Sequence, residues 1–413
     1  MMSKEQKKEA VKIYGEIKLS NSIDYVGAWY FKASKLIDGT NIGVALVSTN
    51  SITQGEQVAP LWKTLFSNYN IHIDFAYRTF RWDSEASLKA HVHCVIIGFS
   101  QNCNRKKFIY DNGIIIDANN INSYLIDAPD IFIESRSKPI CDVPKMTKGN
   151  QPSDGGNLIL SADERKELLS NDPSLECCIK RYIGAQDYLN NNTIRYCLWL
   201  KNISPSVYRH NKEIMRRIEA VRNMRLNSTA PPTRKFAEKP YQFFSTPQTN
   251  TNYLIIPRVS SERRRYIPIG FMPPEIIAAD SCSIICGATL YHFGILTSNV
   301  HMAWMRVVAG RLKSDYRYSG GVVYNNYPWC NPTAEQKAKI EQTAQAILDA
   351  RALYPDCSLA DLYDELTMPQ ELRKAHNAND KAVMQAYGFK PDMPESEIVA
   401  ELMKMYQRLT EKK

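Results

Sequence analysis

Four charged residues in a row, Glu262-Arg263-Arg264-Arg265, stand between two apolar runs in IIPRVSSERRRYIPIGF (residues 255–271), as a hairpin tip would. Arginine can present two donors to the O6/N7 edge of guanine, and glutamate can accept from the cytosine amino group. In an extended segment, Glu262 and Arg264 would point to the same side. A plainer reading stands beside this one: the arginines grip phosphates and Glu262 pairs with one of them. Upstream, Phe80 and Trp82 precede a polar loop in RTFRWDSEASLKA (residues 78–90). An enzyme that acts on a base inside a duplex must extrude it and stack it between aromatic or apolar side chains. Phe80 or Trp82 could supply that ring, or the two could simply close the edge of a core. Downstream, Arg311, Lys313, Arg317 and Tyr318 precede a glycine pair, a mix suited to backbone phosphates.

Charge supports a polyanion partner. The chain of 413 residues carries a net +9. Residues 180–270 hold 17 Lys/Arg against 5 Asp/Glu, an excess of +12, so the rest of the chain sums to −3. One segment therefore contains all the surplus positive charge, as a nucleic-acid-binding face would. The alternative is a solvated basic surface without a partner. The ten cysteines include no C-x-x-C pair, so reduced thiols are expected and no metal site. No apolar run reaches the roughly 18 residues that span a bilayer. The opening MMSKEQKKEA lacks the apolar core of a signal peptide. The expectation is a soluble, cytoplasmic protein with no membrane association.

The elements that must position these residues follow from periodicity. Residues 25–36 have the apolar spacing of a buried helix, and IGVALV (residues 42–47) reads as a strand covered on both faces. Residues 71–76 and 91–99 (HVHCVIIGF) read as two more strands, with His91 and His93 taken as structural. Strands separated by helical stretches predict an α/β sheet. The polar residues Ser48, Thr49, Asn50 and Ser51 directly follow the first strand, and ligands bind beyond the carboxyl ends of strands in such sheets. Many polar loops so placed bind nothing. Residues 116–180 have loop chemistry, interrupted at Ser161, which with Glu164 predicts a capping box. Ser204-Pro205 predicts a helix start. That helix would place Ile214, Ile218 and Val221 on one face and Arg216, Arg217, Arg222 and Arg225 elsewhere. Strands are expected over 253–259 and 265–271. Met302, Met305 and Val308 fit the core side of a helix. The last 80 or so residues read as helices that pack or orient the rest.

Several stretches, in the same order, resemble one family. They are SITQGEQV (51–58), RTFRWDSEA (78–86) leading to VHCVIIGFS (92–100), CLWL (197–200), RRRYIPIGF (263–271), and FGILTSNVHMAWMR (293–306) followed by GRLKSDYRYSGGVVYNNYPW (310–329). Together they resemble the MmeI-like DNA N6-adenine methyltransferases of restriction–modification systems, over nearly the whole chain from Ser3 to about Phe389. The resemblance implies the distal half of a Rossmann-like methyltransferase sheet over residues 1–115. An α+β target recognition domain would follow over 116–325, then a C-terminal helical domain over 326–413. It further implies double-stranded DNA as partner and S-adenosylmethionine as cofactor. The base-stacking aromatic would fall at Phe80 or Trp82, and the base-reading residues at Ser260, Ser261, Glu262, Arg263, Arg264 and Arg265.

The sequence departs from the family pattern in ways that bear on catalysis. No G-x-G occurs, and no N/D-P-P-Y/F: the pairs Pro231-Pro232 and Pro273-Pro274 lack a preceding Asn or Asp, and Asn331-Pro332 lacks the second proline. Cys330 stands where a proline is expected after Pro328-Trp329. Pro129-Asp130 with Glu134 resembles the start of a nuclease site, but Arg136 occupies the position that needs lysine. The expectation is a chain that begins just after the catalytic loop, grips and reads DNA, and is catalytically incomplete by itself. The alternatives are a non-catalytic DNA specificity subunit working with a separate methyltransferase chain, and an inactive remnant with an exposed sheet edge.

Overall fold

The computed structural model describes residues 2–15, 23–83, 91–191 and 193–411. The polar loop expected at residues 84–90 and the side chain of His91 lie outside the described residues. Spatial compactness groups the chain into two interleaved units. The first is Met1–Val143, Asn299–Thr333 and Val383–Lys413; the second is Pro144–Ser298 and Ala334–Ala382.

The first unit is built on a mixed five-stranded sheet. Helices α1 (Lys4–Tyr14) and α2 (Gly27–Leu36) precede strand β1 (Val44–Thr49). Helix α3 (Val58–Tyr69) leads to β2 (His72–Asp83), β3 (His91–Ser100), β4 (Lys107–Asp111) and β5 (Ile114–Ala118). The strand order is β1-β3-β2-β4-β5. Strand β3 is antiparallel to both β1 and β2, and β4 is parallel to β2, so β1, β2 and β4 run the same way. Helix α3 places Val58, Leu61, Trp62 and Leu65 on one buried stripe, the spacing an amphipathic helix needs. That stripe and α2 cover one face of the sheet. The Tyr30 ring stacks on Phe99 at 5.7 Å and meets Trp62 edge-on at 5.6 Å. The β4–β5 hairpin turns on Asn112-Gly113, both with positive φ, the backbone that two-residue hairpins favour.

The apolar run 42–47 was expected to be covered on both faces. Instead, β1 occupies the end of the sheet, and Val47 is 56% exposed. Helix Asn299–Val308 buries Met302, Met305 and Val308 as core. It packs on Glu395–Glu411, with Trp304 and Tyr406 rings 6.1 Å apart. Among the described residues no helix is long and apolar enough to cross a membrane.

The second unit holds two four-stranded sheets. In one, Tyr253–Pro257 lies between Gly270–Met272 and Cys282–Cys286, with Met146–Lys148 at the edge. In the other, Ile179–Ile183 lies between Ile276–Ala278 and Arg195–Leu198, with Ile159–Ser161 beyond. Ser161 caps helix Ala162–Asn171 in a capping box with Glu164, as its spacing predicts. The helix expected from Ser204-Pro205 breaks into Pro205–Tyr208 and Lys212–Leu226, because Asn211 caps a new start by accepting from the Ile214 amide. Ile214, Ile218 and Val221 are buried as expected, but Arg217 and Arg225 are buried too. Arg225 is fully enclosed and donates to the carbonyls of Pro152, Ser153, Phe236, Lys239 and Gln242. Arg217 pairs with Glu213 at 2.8 Å and Glu164 at 2.5 Å. Part of the basic excess is therefore internal scaffolding, since a buried guanidinium is tolerated only when its donors are satisfied.

Candidate nucleic-acid interface

In the first unit, the polar features gather at the carboxyl ends of β1, β2 and β4. The loop after β1 turns through Asn50–Thr53, and Asn50 Nδ2 donates to Thr79 Oγ1 of β2 at 3.4 Å. Phe80 and Trp82 lie within β2, opposite Cys94 and Val92 of β3, and not outside the strand as expected. The strand runs further than its apolar core because β3 supplies ladder partners as far as Asp83. A register shift between Tyr77 and Phe80 precedes them. Two residues apart, they share a sheet face, with rings 6.4 Å apart. Phe80 is half-buried and Trp82 is 53% exposed. Trp82 is thus the ring with an open surface.

Beside this edge lies a cleft of about 560 Å³, lined among others by Gln54, Arg78, Asp111, Arg306, Tyr316 and Glu395. Its charges are paired within the cleft. Arg78 donates to Asp111 at 2.8 Å and to the Leu125 carbonyl at 3.0 Å. Arg306 makes a two-pronged 2.8 Å contact with Glu395. Sequence reading passed over Arg78 and Asp111, although Arg78 opens the RTFRW stretch and Asp111 precedes the Asn-Gly turn.

The hairpin Gly310–Leu312 / Asp315–Arg317 carries three expected DNA contacts. Lys313 stands at its tip with φ +57° and is exposed, as is Arg317. Arg311 is committed locally: its guanidinium lies 3.7 Å from the Tyr316 ring centre and donates to the Ser314 carbonyl. Gly55, at φ +73°, seats this hairpin against the loop after β1, since a Cβ there would come within 2.9 Å of Gly310 Cα.

In the second unit, the chain leaves strand Tyr253–Pro257, turns through 261–265, and returns antiparallel at Gly270–Met272. The charged tip is a folded turn. The Arg264 amide donates to the Ser261 carbonyl at 3.1 Å and the Arg263 amide to Ser261 Oγ at 3.3 Å. The extended geometry that would aim Glu262 and Arg264 to one side does not occur, because Ser261 folds the backbone locally. Glu262, Arg263 and Arg265 are exposed, Arg264 is half-buried, and Ser260 is 2% exposed, so its hydroxyl faces protein.

Behind the turn stands a buried polar chain that sequence reading missed. Tyr266 donates to Asp380 at 2.6 Å and stacks on His376 at 4.1 Å. His376 Nε2 and the Tyr363 hydroxyl are 2.8 Å apart. Tyr363 accepts from Arg351 Nε, and Arg351 also donates to the Ile269 carbonyl at 2.6 Å. Burial holds the His376 imidazole well below its ordinary pKa. Arg265 reaches Asp380 at 3.8 Å.

Comparison with known proteins places this geometry. Residues 1–111 match the MmeI DNA-methyltransferase domain, 127–331 the MmeI target recognition domain, and 332–412 the MmeI C-terminal domain. DNA methyltransferase A of Bacillus subtilis (strain 168) is 39% identical over 413 residues, covering 99% of this chain and 46% of that protein. The structure of the type IIL restriction-modification enzyme MmeI in complex with DNA superposes with a TM-score of 0.90 at 44% identity. It covers 99% of this chain and 55% of that one. The chain thus spans about half the length of these relatives. The methyltransferase and target-recognition matches fall on one polypeptide, which gives no support to the alternative of a separate methyltransferase chain.

Proposed function

The chain belongs to the MmeI-like family of DNA methyltransferases, and from that premise we propose that it grips double-stranded DNA and reads a short asymmetric site for adenine-N6 methylation. The observation that carries this reading is the turn 261–265, which offers Glu262, Arg263 and Arg265 to solvent from a base held by the buried Tyr266–Asp380 hydrogen bond. Such a turn suits groove edges: side chains on a rigid support can discriminate donors from acceptors. Lys313 and Arg317 supply phosphate contacts from their hairpin. Trp82 offers the ring on which an extruded adenine stacks, with Phe80 packed beside it. The divisions at residues 115 and 325 are proposed as functional boundaries, and the sheet of the first unit as the distal half of a Rossmann-like methyltransferase sheet.

S-adenosylmethionine is the methyl donor that the family reading implies. The residues after β1 do not fit it. Thr53 Oγ1 closes on the Asn50 carbonyl, Trp62 Nε1 on the Ile52 carbonyl, and Gly55 on Gly310. No glycine-lined cradle is left there for a nucleoside, and no methyl-transfer step is assigned to these residues. The work proposed for this part of the chain is recognition and base stacking.

The test is selection of the purified chain against a randomised duplex pool at two salt concentrations. Enrichment of one asymmetric site, altered by replacing Glu262 and Arg263, supports the reading. Sequence-blind binding that collapses with salt leaves only electrostatics and rejects it.

A further inference from the structure

We propose that Asp380 is a positioning residue for base selectivity: with Tyr266 it fixes the place of the Arg265 guanidinium on the turn 261–265. The inference rests on the reading that this turn meets base edges. One carboxylate, itself 5% exposed, serves two different neighbours. It accepts the hydroxyl of the buried Tyr266 at 2.6 Å and holds Arg265, whose side chain is 53% exposed, at 3.8 Å. The Arg265 guanidinium also lies 5.4 Å from the Tyr266 ring centre. An arginine discriminates guanine only when its planar fork is held in register with the base edge. Left untethered, the same cation would still attract phosphates but would read less.

The tether is anchored at two points on the returning side of the loop, Tyr266 and Ile269. Tyr266 is clamped between Asp380 and His376, and three residues further along Arg351 fixes the Ile269 carbonyl. Arg351, Tyr363 and His376 join these two points through 2.8 Å contacts. Thus residues far along the chain, on Ala334–Ala352 and Gln370–Tyr387, set the geometry of a turn they never join in sequence.

Selection from a randomised duplex pool with the full chain tests this, using Asp380→Asn, Tyr266→Phe and Asp380→Glu. Asp380→Asn keeps the shape and removes the charge; Tyr266→Phe keeps the stacked ring and removes the hydroxyl. The expected result is that both fold, by circular dichroism, and hold total affinity within about threefold, while discrimination at one base position falls about tenfold. Asp380→Glu restores part of that discrimination, which a packing role would not require. Unchanged selectivity in both variants overturns the proposal, as does failure of both to fold. If the unaltered chain selects no site, the underlying reading fails first and this one falls with it; a selective parent with equally selective variants rejects only the positioning role.

Discussion

The phenol of Tyr266 donates a 2.6 Å hydrogen bond to the carboxylate of Asp380, 114 residues further along the chain. Both groups are buried, and the ring of His376 lies parallel to the tyrosine at 4.1 Å. A buried carboxylate without a partner is costly. Here the cost is met by a residue at the foot of the charged turn, so helix Gln370–Tyr387 and that turn stabilise each other.

Trp82 and Phe80 should separate function from stability. Trp82→Ala removes a largely exposed ring, so unfolding free energy should change by less than about 1 kcal/mol. Affinity for duplexes with an unpaired, extrahelical adenine should fall about tenfold, within the usual worth of base stacking. Phe80→Ala should lower stability by about 1–3 kcal/mol instead. Urea melts and fluorescence titration with an adenine analogue read both; equal affinities for Trp82→Ala and the parent would remove Trp82 as the stacking ring.

The basic residues should divide into scaffold and grip. Arg225→Met strands five carbonyls and should cost roughly 3 kcal/mol or more. Lys313→Ala and Arg317→Ala should leave melts unchanged but each lower the slope of log affinity against log salt by about 0.9. Unaltered slopes would show that the hairpin does not touch phosphates.

Gly55→Ala should destabilise the first unit by about 1–3 kcal/mol. At φ +73° alanine is strained, and its Cβ meets the Gly310 backbone at 2.9 Å, where no flexible side chain can yield. Gly113→Ala, also at positive φ but with open space around it, carries the strain without the clash and should cost less. Equal losses in thermal denaturation would contradict a close-approach role for Gly55.

Stability should fall as pH drops below about 6.5. Burial pushes His301 down to about 3 and His292 to about 4, and holds His376 well below its ordinary value. Each is neutral in the folded protein, whereas the unfolded chain takes up the proton near 6.5. The unfolded state therefore binds more protons between 6.5 and each folded value, and stability rises with pH across that window. The fully buried His301 contributes up to about 1.4 kcal/mol per pH unit there, and the part-exposed His292 less, because solvent screens its charge. Denaturant melts at pH 7.5, 6.0 and 5.0 measure this; a flat profile would mean these rings are hydrated.

Local chemistry was legible in the sequence wherever the cause was local. Ser161 and Glu164 cap a helix because their side chains reach each other's backbone amides within one turn. The stripe Ile214, Ile218, Val221 is buried because helix periodicity alone puts it on one face. The family likeness was legible for a related reason: many short stretches keep their order along the chain. The same sequence made residues 42–47 look doubly covered, since an apolar run does not say whether its strand lies inside a sheet or at its edge.

What the sequence determined by itself was the helix–strand–helix–strand order from α2 to β2, the local caps, the basic segment and the kind of partner it suits; the expected alternation does not continue, since β3, β4 and β5 follow one another without a helix. Only the tertiary structure decided which of those charges face outward. Arg225 and Arg263 are the same residue type within one basic segment, yet one satisfies five backbone carbonyls in the interior and the other stands exposed on the turn. That difference depends on where chain segments meet through space. Composition and spacing carry no information about such meetings, because burial of a charge depends on partners that arrive from distant parts of the chain.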